Sequence, residues 1–334
     1  MGRHALVIGI DKYDEGRSLG GCVADAKRME QVLRWHGDTD RRSNFHVKLV
    51  LGDDDHRDVT VAVLRKEISD FFDRVGVADE VVFYFAGHAS DDSKVIELKG
   101  RDSPGLGLGI SVFELMARVN MCRAPEVVLI LDCCFSGGVG DDSFGNLQLR
   151  PGVTVLASSS SEQAATERFG RGDFTSMIVE GLEGGAADLM GRVTIPSLFS
   201  FVAQAFPDLD QTPVLKSYAT QVVAIRNTPI RIAQEILCRI TTHFPTEDHA
   251  LPVNMDHDDG GILIPPEKRT PKQAAYYDLR AYRDLDLVSA VTTSGEDTKG
   301  LWMALKEGGT VHLTKLGRHY WRLVKRGIIA APAS

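Results

Sequence analysis

A cysteine and a histidine that could act together follow two apolar segments of the sequence. Residues 127–131 are followed closely by Cys133 and Cys134, and residues 81–85 are followed closely by His88. A thiolate is the nucleophile in cysteine catalysis, and a neighbouring imidazole raises its population. Such a pair could attack the carbonyl carbon of an amide, given donors for the developing oxyanion. The structural alternative is that both thiols belong to the core, because free cysteine is among the most buried residue types.

Both apolar segments have the length and the β-branched composition of strands that are buried on two faces. In open parallel sheets, ligands bind at the edge where the strands end. Side chains alternate along a strand with a period of two, so Asp132 and Cys134 are expected on the same side. His88 is expected at the same edge, which makes a meeting of His88 and Cys134 the main prediction.

Strand and helix patterns alternate along the first two thirds of the chain. Strands are predicted over residues 5–10, 46–51, 81–85, 127–131, 153–157 and 221–225, and helices over residues 22–35, 59–72, 112–119, 174–182 and 195–206. This alternation predicts an α/β fold with a mostly parallel sheet, right-handed crossovers and helices on both faces. Residues 137–152 are rich in glycine, aspartate and serine, and we expect them to form an exposed loop.

The composition excludes several classes of protein. The chain has 334 residues, enough for about two domains, with 43% apolar residues, 25% charged residues and a net charge of −8. The negative charge argues against broad nucleic-acid binding, and no apolar stretch approaches the roughly 18 residues of a membrane span. The sequence begins without the pattern of a signal peptide, and its five cysteines have no framework spacing. We therefore expect a cytoplasmic protein without membrane contact.

Several short motifs follow one another over residues 5–226. They are Ala5-Leu6-Val7-Ile8-Gly9-Ile10, Gly21-Cys22-Val23-Ala24-Asp25, Phe83-Tyr84-Phe85-Ala86-Gly87-His88, Leu131-Asp132-Cys133-Cys134-Phe135-Ser136-Gly137, Leu156-Ala157-Ser158 and Phe174-Thr175-Ser176. Together they resemble the caspase-type cysteine peptidase domain in its prokaryotic, metacaspase-like form. The resemblance covers about two thirds of the chain. About 46 positions separate His88 from Cys134, close to the roughly 50 that separate the two catalytic residues in caspases.

The resemblance implies a catalytic role for three of these residues. Cys134 would be the nucleophile and His88 its partner, while Cys133 would point back into the fold. The backbone amide of Ala89, which stands where the family often has glycine, would donate to the oxyanion. Phe135 stands where many metacaspases carry histidine, and this change removes no reacting group.

The same resemblance implies that Asp25, Asp132 and Ser158 bind the substrate. A pocket for a basic side chain needs buried or half-buried carboxylates, and Asp132 lies two residues before Cys134. Metacaspases supply a second acid at the position of Asp25, so cleavage after arginine or lysine is expected. The structural alternatives are that Asp25 interacts with a helix dipole and that Asp132 pairs with backbone amides at the end of its strand.

No cofactor is expected, and calcium is the only metal that the acidic loops suggest. Some metacaspases are activated by calcium, and residues 53–55 and 141–142 are aspartates that could supply oxygen ligands. Acidic loops of this kind are usually just solvated. No metal ligand is therefore assigned.

The chain beyond residue 228 follows a different pattern. We predict a caspase-like domain over residues 1–228, a linker or surface extension over residues 229–270, and a small module over residues 271–334. In the module, residues 313–318 resemble the segment that joins the wing to the last helix in winged-helix domains. From Gly300 onward there are six Lys or Arg residues against one acid, Glu307. Nucleic acid could bind there, but a regulatory protein partner or the chain's own catalytic domain is the expected ligand of the module.

Two functions of different classes remain open at this point. The first is a cysteine endopeptidase that cleaves protein or peptide substrates after arginine or lysine in a regulated signalling or defence role. The second is a catalytically inactive interaction module with a caspase-like fold. The presence of Cys134, His88, Asp25 and Asp132 together favours the peptidase, because a scaffold has no need of all four. A dinucleotide-binding fold is disfavoured, since no Gly-x-Gly-x-x-Gly motif follows the first strand.

Overall fold

The computed structural model describes residues 2–15, 18–37, 42–56, 58–90, 96–103, 109–133, 148–158, 173–205, 213–258, 260, 264–298 and 300–331. The chain divides into two compact units, Met1–Pro229 and Ile230–Ser334. Within the described ranges, no helix is both long enough and apolar enough to cross a lipid bilayer.

The first unit contains thirteen described strands and five described α-helices. The strands are β1 (Arg3–Ile10), β2 (Trp35–His36), β3 (Arg42–Ser43), β4 (His46–Gly52), β5 (Glu80–Ala86), β6 (Ala89–Ser90), β7 (Glu97–Leu98), β8 (Ile110–Ser111), β9 (Glu126–Asp132), β10 (Val153–Ala157), β11 (Arg192–Thr194), β12 (Val214–Tyr218) and β13 (Ala224–Asn227). The helices are α1 (Cys22–Arg34), α2 (Val61–Arg74), α3 (Val112–Met121), α4 (Asp173–Glu180) and α5 (Ile195–Ala205).

Six of these strands form the central sheet, in the order β12-β10-β9-β5-β1-β4. Every neighbouring pair is parallel except β10 and β12, which are antiparallel. This is the mostly parallel α/β sheet that the sequence predicts. Strand β1 lies between β4 and β5. The chain places β4 on one side of β1, and then β5 and β9 on the other side. In folds of this type, the crevice at the carboxyl ends of two such strands is the usual place for a ligand site.

The sheet has a hydrophobic core on each face. Alternate residues of the strands point to opposite sides, so Leu6 and Phe83 pack in one core while Val7 and Tyr84 pack in the other. Helices α2 and α3 contribute buried side chains to the first core, and α1, α4 and α5 contribute to the second. Burial on both faces explains why the strands β1, β5 and β9 are almost continuous apolar segments.

The strand register brings the ends of three central strands to the same level. Gly9 of β1 is opposite Ala86 of β5, and Ala86 is in turn opposite Asp132 of β9. The residues that follow Ala86 and Asp132 therefore leave the sheet at one edge, as the alternating pattern of the sequence predicts.

The last strand of the sheet differs from the prediction. The sequence predicts a final strand over residues 221–225, but the strand at the sheet edge is β12. The nearest strand to the predicted one, β13, pairs instead with β11 in a separate two-stranded sheet. β12 lies at an edge, is only half-buried or exposed along its length, and includes Lys216 and Ser217. A continuous apolar run is the signal that identified the central strands, and a strand at an exposed edge does not need one.

The second unit contains four described strands and five described α-helices. The helices are α6 (Gln234–Cys238), α7 (Ile240–His243), α8 (Pro271–Arg283), α9 (Leu301–Glu307) and α10 (Lys315–Lys325), and the strands are β14 (Leu251–Pro252), β15 (Val288–Val291), β16 (Asp297–Thr298) and β17 (Thr310–Leu313). The strands form an antiparallel sheet in the order β14-β17-β15-β16.

Residues 230–270 fall within the second unit, whereas the sequence predicts a linker or surface extension over residues 229–270. Strand β14 pairs with β17, and Leu237, Ile240 and Phe244 are fully buried. The indole Nε1 of Trp321 donates a hydrogen bond to the carbonyl oxygen of Phe244 at 2.6 Å. These core residues lie in or directly after helices of only five and four residues, too short to show a clear helical pattern in the sequence. The winged-helix likeness of the remaining module stays a prediction.

Candidate active site

His88 lies just beyond the end of β5 and is held by an aromatic partner from the segment after β1. Its backbone N–H donates to the hydroxyl of Tyr13 at 2.8 Å. The centroids of the two rings are 4.7 Å apart, with an interplanar angle of 52°. A Cβ atom at Gly87 would come within 2.7 Å of the Tyr13 hydroxyl, so a larger residue at this position would displace Tyr13. The imidazole of His88 is therefore placed by contacts on both its backbone and its ring.

The Tyr13 hydroxyl stays protonated at any pH of interest. Burial raises the pKa of Tyr13 far above its usual value, although the hydrogen bond from the backbone of His88 opposes the shift. Nearby Cys22, Cys133 and Asp11 also act to raise it. A neutral hydroxyl can accept the hydrogen bond from His88 without placing a charge next to the imidazole.

Asp25 lies in the first turn of α1, which packs closely on β1. A Cβ atom at Gly9 would come within 2.4 Å of the carbonyl oxygen of Cys22, so the start of the helix rests directly on the strand. The carboxylate of Asp11, just after β1, accepts a hydrogen bond from the backbone N–H of Cys22 at 2.8 Å. Asp11 thus satisfies an open donor at the helix N-terminus, where Gly21 provides no side-chain cap.

Asp25 is buried in a negatively charged environment. The residue is only 7% exposed. Burial raises the pKa of the Asp25 carboxyl to about 6, and the negative charges of Asp132 and Asp11 add to this effect. The charge of Arg28 opposes the shift, but its guanidinium Nη1 is 3.9 Å from Asp25 Oδ1 and the side chain is 45% exposed. Three carboxylates therefore lie close enough to interact at this edge of the sheet.

Asp132 ends β9 and is bound by a residue of α4. Its Oδ2 atom accepts a hydrogen bond from the hydroxyl of Thr175 at 2.5 Å. The same hydroxyl is 2.7 Å from the hydroxyl of Tyr84, a fully buried residue of β5. Asp132 is thus connected to the interior of the sheet through two hydroxyl groups.

Ser158 connects the end of β10 to the end of β9. Its backbone N–H donates to the carbonyl oxygen of Leu131 at 2.9 Å, and its hydroxyl lies 3.4 Å from that oxygen and 3.3 Å from the carbonyl oxygen of Cys133. Cys133 itself is 3% exposed and packs in the hydrophobic core, which is the inward-facing position expected for it. The contacts of Ser158 place it beside the strand that leads to Cys134; its role in substrate binding stays a prediction.

Ala89 has backbone geometry compatible with the predicted oxyanion donor. It lies in β6 and is opposite Leu98 of β7. Among the described residues other than glycine, only Asp286 has a positive φ angle, so the substitution of alanine for the family's usual glycine introduces no backbone strain.

Cys134 lies outside the described residues, as do Asp141 and Asp142. Across the described ranges, no group of three or more His, Cys, Asp and Glu side chains could hold a metal ion. Asp53 instead accepts hydrogen bonds from the backbone of Asp55 and from His56. Calcium stays an untested expectation.

Sequence reasoning missed several residues of this site. Asp11, Tyr13, Tyr84 and Thr175 were not predicted to take part, although each lies in or next to a recognised motif. A possible signal was the position of Asp11 and Tyr13 directly after the first strand, at the edge where ligands bind. Nothing in the local sequence marks Tyr84, whose environment is set by residues far along the chain.

Comparison with known proteins assigns the family. A family model described as "Caspase domain" matches residues 2–224. No curated protein matches the chain. Among solved structures, protein GSU0716 from Geobacter sulfurreducens is similar, with a TM-score of 0.49 and 18% identity over 66% of this chain and 95% of that one. Caspase-1 from Spodoptera frugiperda is similar with a TM-score of 0.48 and 14% identity over 68% of this chain and 90% of that one. The match of the family model over about two thirds of the sequence shows that the chain belongs to the caspase domain family.

Proposed function

We propose that this protein is a metacaspase-like cysteine endopeptidase that cleaves its substrates after arginine or lysine. The observation that carries the proposal is the group of interacting carboxylates of Asp25, Asp132 and Asp11 near the carboxyl ends of β1, β5 and β9. His88 follows one of these strands and Cys134 follows another. Membership of the caspase domain family supports a cysteine peptidase-like function for this edge.

The catalytic step follows from the chemistry of the two residues. His88 would take the proton of the Cys134 thiol, and the resulting thiolate would attack the carbonyl carbon of the scissile bond. The imidazolium of His88 would then give this proton to the leaving amine as the C–N bond breaks and a thioester forms on Cys134. The N–H of Ala89 would donate to the oxyanion of the tetrahedral intermediate. Hydrolysis of the thioester by water would restore the free thiol. The contacts of Tyr13 would hold the histidine in place during both steps.

The specificity follows from the charge of the site. A buried carboxylate next to other carboxylates is unfavourable until a cation neutralises the group. A guanidinium or ammonium group of the substrate would supply that cation. An aspartate side chain, which true caspases accept, would instead add another negative charge. The acids therefore favour a basic residue before the cleaved bond and reject an acidic one.

Substitution of the two thiols tests the catalytic assignment. We expect Cys134→Ala to abolish both hydrolysis and labelling by a thiol-directed peptide inhibitor, and His88→Ala to be nearly as damaging, because the two residues act as one unit. Cys133→Ala is the matched control and should retain most activity. The reverse pattern for the two cysteines would move the nucleophile to Cys133. If the Cys134→Ala variant keeps both its activity and its labelling, a cysteine mechanism at this edge is refuted.

A panel of fluorogenic peptides tests the specificity. The peptides differ only in the residue before the cleaved bond, which is arginine, lysine, citrulline or aspartate, and each is measured with and without calcium. Citrulline has nearly the shape of arginine but no charge. We expect cleavage after arginine and lysine, weak cleavage after citrulline and none after aspartate. Comparable rates for arginine and aspartate would refute the basic specificity, and activity only with calcium would assign the metal dependence.

A further inference from the structure

We propose that Thr175 and Tyr84 are positioning residues that orient the carboxylate of Asp132 for the cationic end of the substrate. This inference rests on the proposed function, because it assigns a role to Asp132 in binding arginine or lysine. It concerns a contact between three separate elements: Tyr84 is in β5, Thr175 is in α4 and Asp132 ends β9.

The directions of the two hydrogen bonds follow from the available hydrogens. An ionised carboxylate can only accept hydrogen bonds, and a hydroxyl has a single hydrogen to donate. Thr175 donates its hydrogen to Asp132 Oδ2 at 2.5 Å. The hydroxyl of Thr175 must therefore accept from Tyr84, whose oxygen is 2.7 Å away. The result is a directed chain from Tyr84 to Thr175 to Asp132.

The surroundings keep this chain in a single arrangement. Tyr84 and Thr175 are fully buried, so water does not compete for their hydrogen bonds. Burial raises the pKa of Tyr84 well above its usual value, and the negative charge of Asp132 adds to the shift. Tyr84 thus remains a donor. In a buried environment, the hydrogen bond that Thr175 accepts from Tyr84 strengthens the hydrogen bond that Thr175 donates to Asp132.

Orientation matters here because Asp132 is close to another acid. The charges of Asp132 and Asp25 interact, as the raised pKa of Asp25 shows. Repulsion would favour rotation of the Asp132 carboxylate away from Asp25. The Thr175 hydroxyl opposes that rotation before any substrate is present. Preorganisation of this kind improves affinity for a ligand because less order is lost on binding.

A simpler explanation is that Thr175 and Tyr84 only satisfy each other's hydrogen-bonding groups inside the fold. The two explanations differ in their effect on charged and neutral substrates. A general structural defect lowers the turnover of every peptide. A defect in the orientation of Asp132 lowers the turnover of the arginyl peptide and leaves the citrullyl peptide unchanged. The ratio of kcat/KM for the two peptides therefore separates the explanations.

The experiment uses Thr175→Val, which keeps the shape of the side chain and removes the hydroxyl, and Thr175→Ser, which restores the hydroxyl. We expect Thr175→Val to reduce the arginine-to-citrulline ratio about 10- to 100-fold, mainly through KM, since the lost bond is to a charged group. Thr175→Ser should stay within about threefold of the wild-type ratio. Thr154→Val is the matched control, because Thr154 is a buried threonine whose hydroxyl bonds Ser217. It should leave the ratio unchanged.

Equal losses for the arginyl and citrullyl peptides in Thr175→Val would overturn the inference. If Thr175→Val does not fold, Tyr84→Phe carries the test, with an expected decrease in the ratio of about two- to fivefold, and an unchanged ratio overturns the inference. A wild-type protein that does not distinguish arginine from citrulline contradicts the proposed function itself. Wild-type discrimination that persists undiminished in the folded Thr175→Val variant contradicts only the role of the hydroxyl chain.

Discussion

Two buried aspartates, one in each unit, have opposite electrostatic environments. Asp278 of α8 is 4% exposed and accepts hydrogen bonds from Arg239 at 2.6 and 2.7 Å and from His243 at 2.8 Å. Burial alone would raise the pKa of Asp278, but these bonds outweigh it and hold the pKa below its usual value. Asp25 is 7% exposed, and its pKa is raised to about 6.

The difference shows what each carboxylate is suited to do. Asp278 has two basic partners within the second unit, so its charge is neutralised in the folded protein. The two contacts link α7 and the residue before it, Arg239, to α8. Asp25 has acidic neighbours, and the exposed Arg28, at 3.9 Å, only partly offsets their charge. Burial of such a charge costs folding free energy. Strongly perturbed carboxyls of this type are common at functional sites, and a basic substrate would provide the missing positive charge.

The largest expected effect is that substitution of Asp25 lowers activity but not stability, whereas substitution of Asp278 lowers stability but not activity. Asp25→Asn should reduce kcat/KM for an arginyl peptide about 10- to 100-fold, because it removes a charge-assisted contact. It should not lower the free energy of unfolding. Asp278→Asn should leave kcat/KM nearly unchanged and lower the free energy of unfolding by about 2 kcal/mol or more, because Arg239 and His243 lose their anionic partner.

Steady-state kinetics and denaturant unfolding of the two variants, side by side, make this measurement. If Asp278→Asn impairs turnover of the arginyl peptide as strongly as Asp25→Asn does, the contrast between a structural and a functional acid is wrong.

A smaller effect should appear in the pH dependence of stability. The folded-state pKa of Asp25, about 6, exceeds the reference value of 3.8, so the protonated carboxyl favours the folded state. This stabilisation is complete below the reference pKa and is lost as the pH rises through about 6. The shift corresponds to at most about 3 kcal/mol. The wild-type protein should therefore become less stable relative to Asp25→Asn between pH 3.8 and about 6.

Denaturant titrations of the two proteins across this pH range measure the effect. The arginine-to-citrulline ratio of kcat/KM should fall in parallel as the pH decreases below about 6, because Asp25 becomes neutral. A constant stability difference over this range would show that Asp25 titrates normally and would remove the contrast with Asp278.

The smallest effect on specificity is expected from removal of the second unit. The acids Asp11, Asp25 and Asp132, on which the proposed specificity rests, all belong to Met1–Pro229. A chain that ends at Pro229 should keep the arginine-to-citrulline ratio of the whole protein within about twofold. Its basal activity, or its response to a regulatory partner, should change. A deletion that begins at Pro271 would instead cut through the second unit.

Kinetics of the truncated chain test this expectation. Asp278→Asn in the full chain is the control, because it weakens the second unit without removing it. A changed peptide preference in the truncated chain would mean that the second unit contributes to the pocket.

Local sequence patterns were sufficient to predict the elements that hold the site. The apolar runs over residues 5–10, 81–85 and 127–131 correspond to β1, β5 and β9, because strands buried on both faces need continuous apolar segments. The period of two and the shared strand ends then placed His88 and Asp132 at one edge. The sheet edge at β12 and the core residues of 230–270 were missed, because exposed or short elements leave weak patterns.

The electrostatics of the site depended on the tertiary structure. Thr175 and Asp132 are 43 positions apart, and Tyr84 and Thr175 are 91 positions apart. The motifs identified Asp25 and Asp132 as acids, but their spacing in the sequence contains no information on burial or on which charges are neighbours. Strand register, the close packing of α1 on Gly9 and the placement of α4 decide these contacts. A pKa depends on solvation and on nearby charges, and both arise only when distant segments pack together.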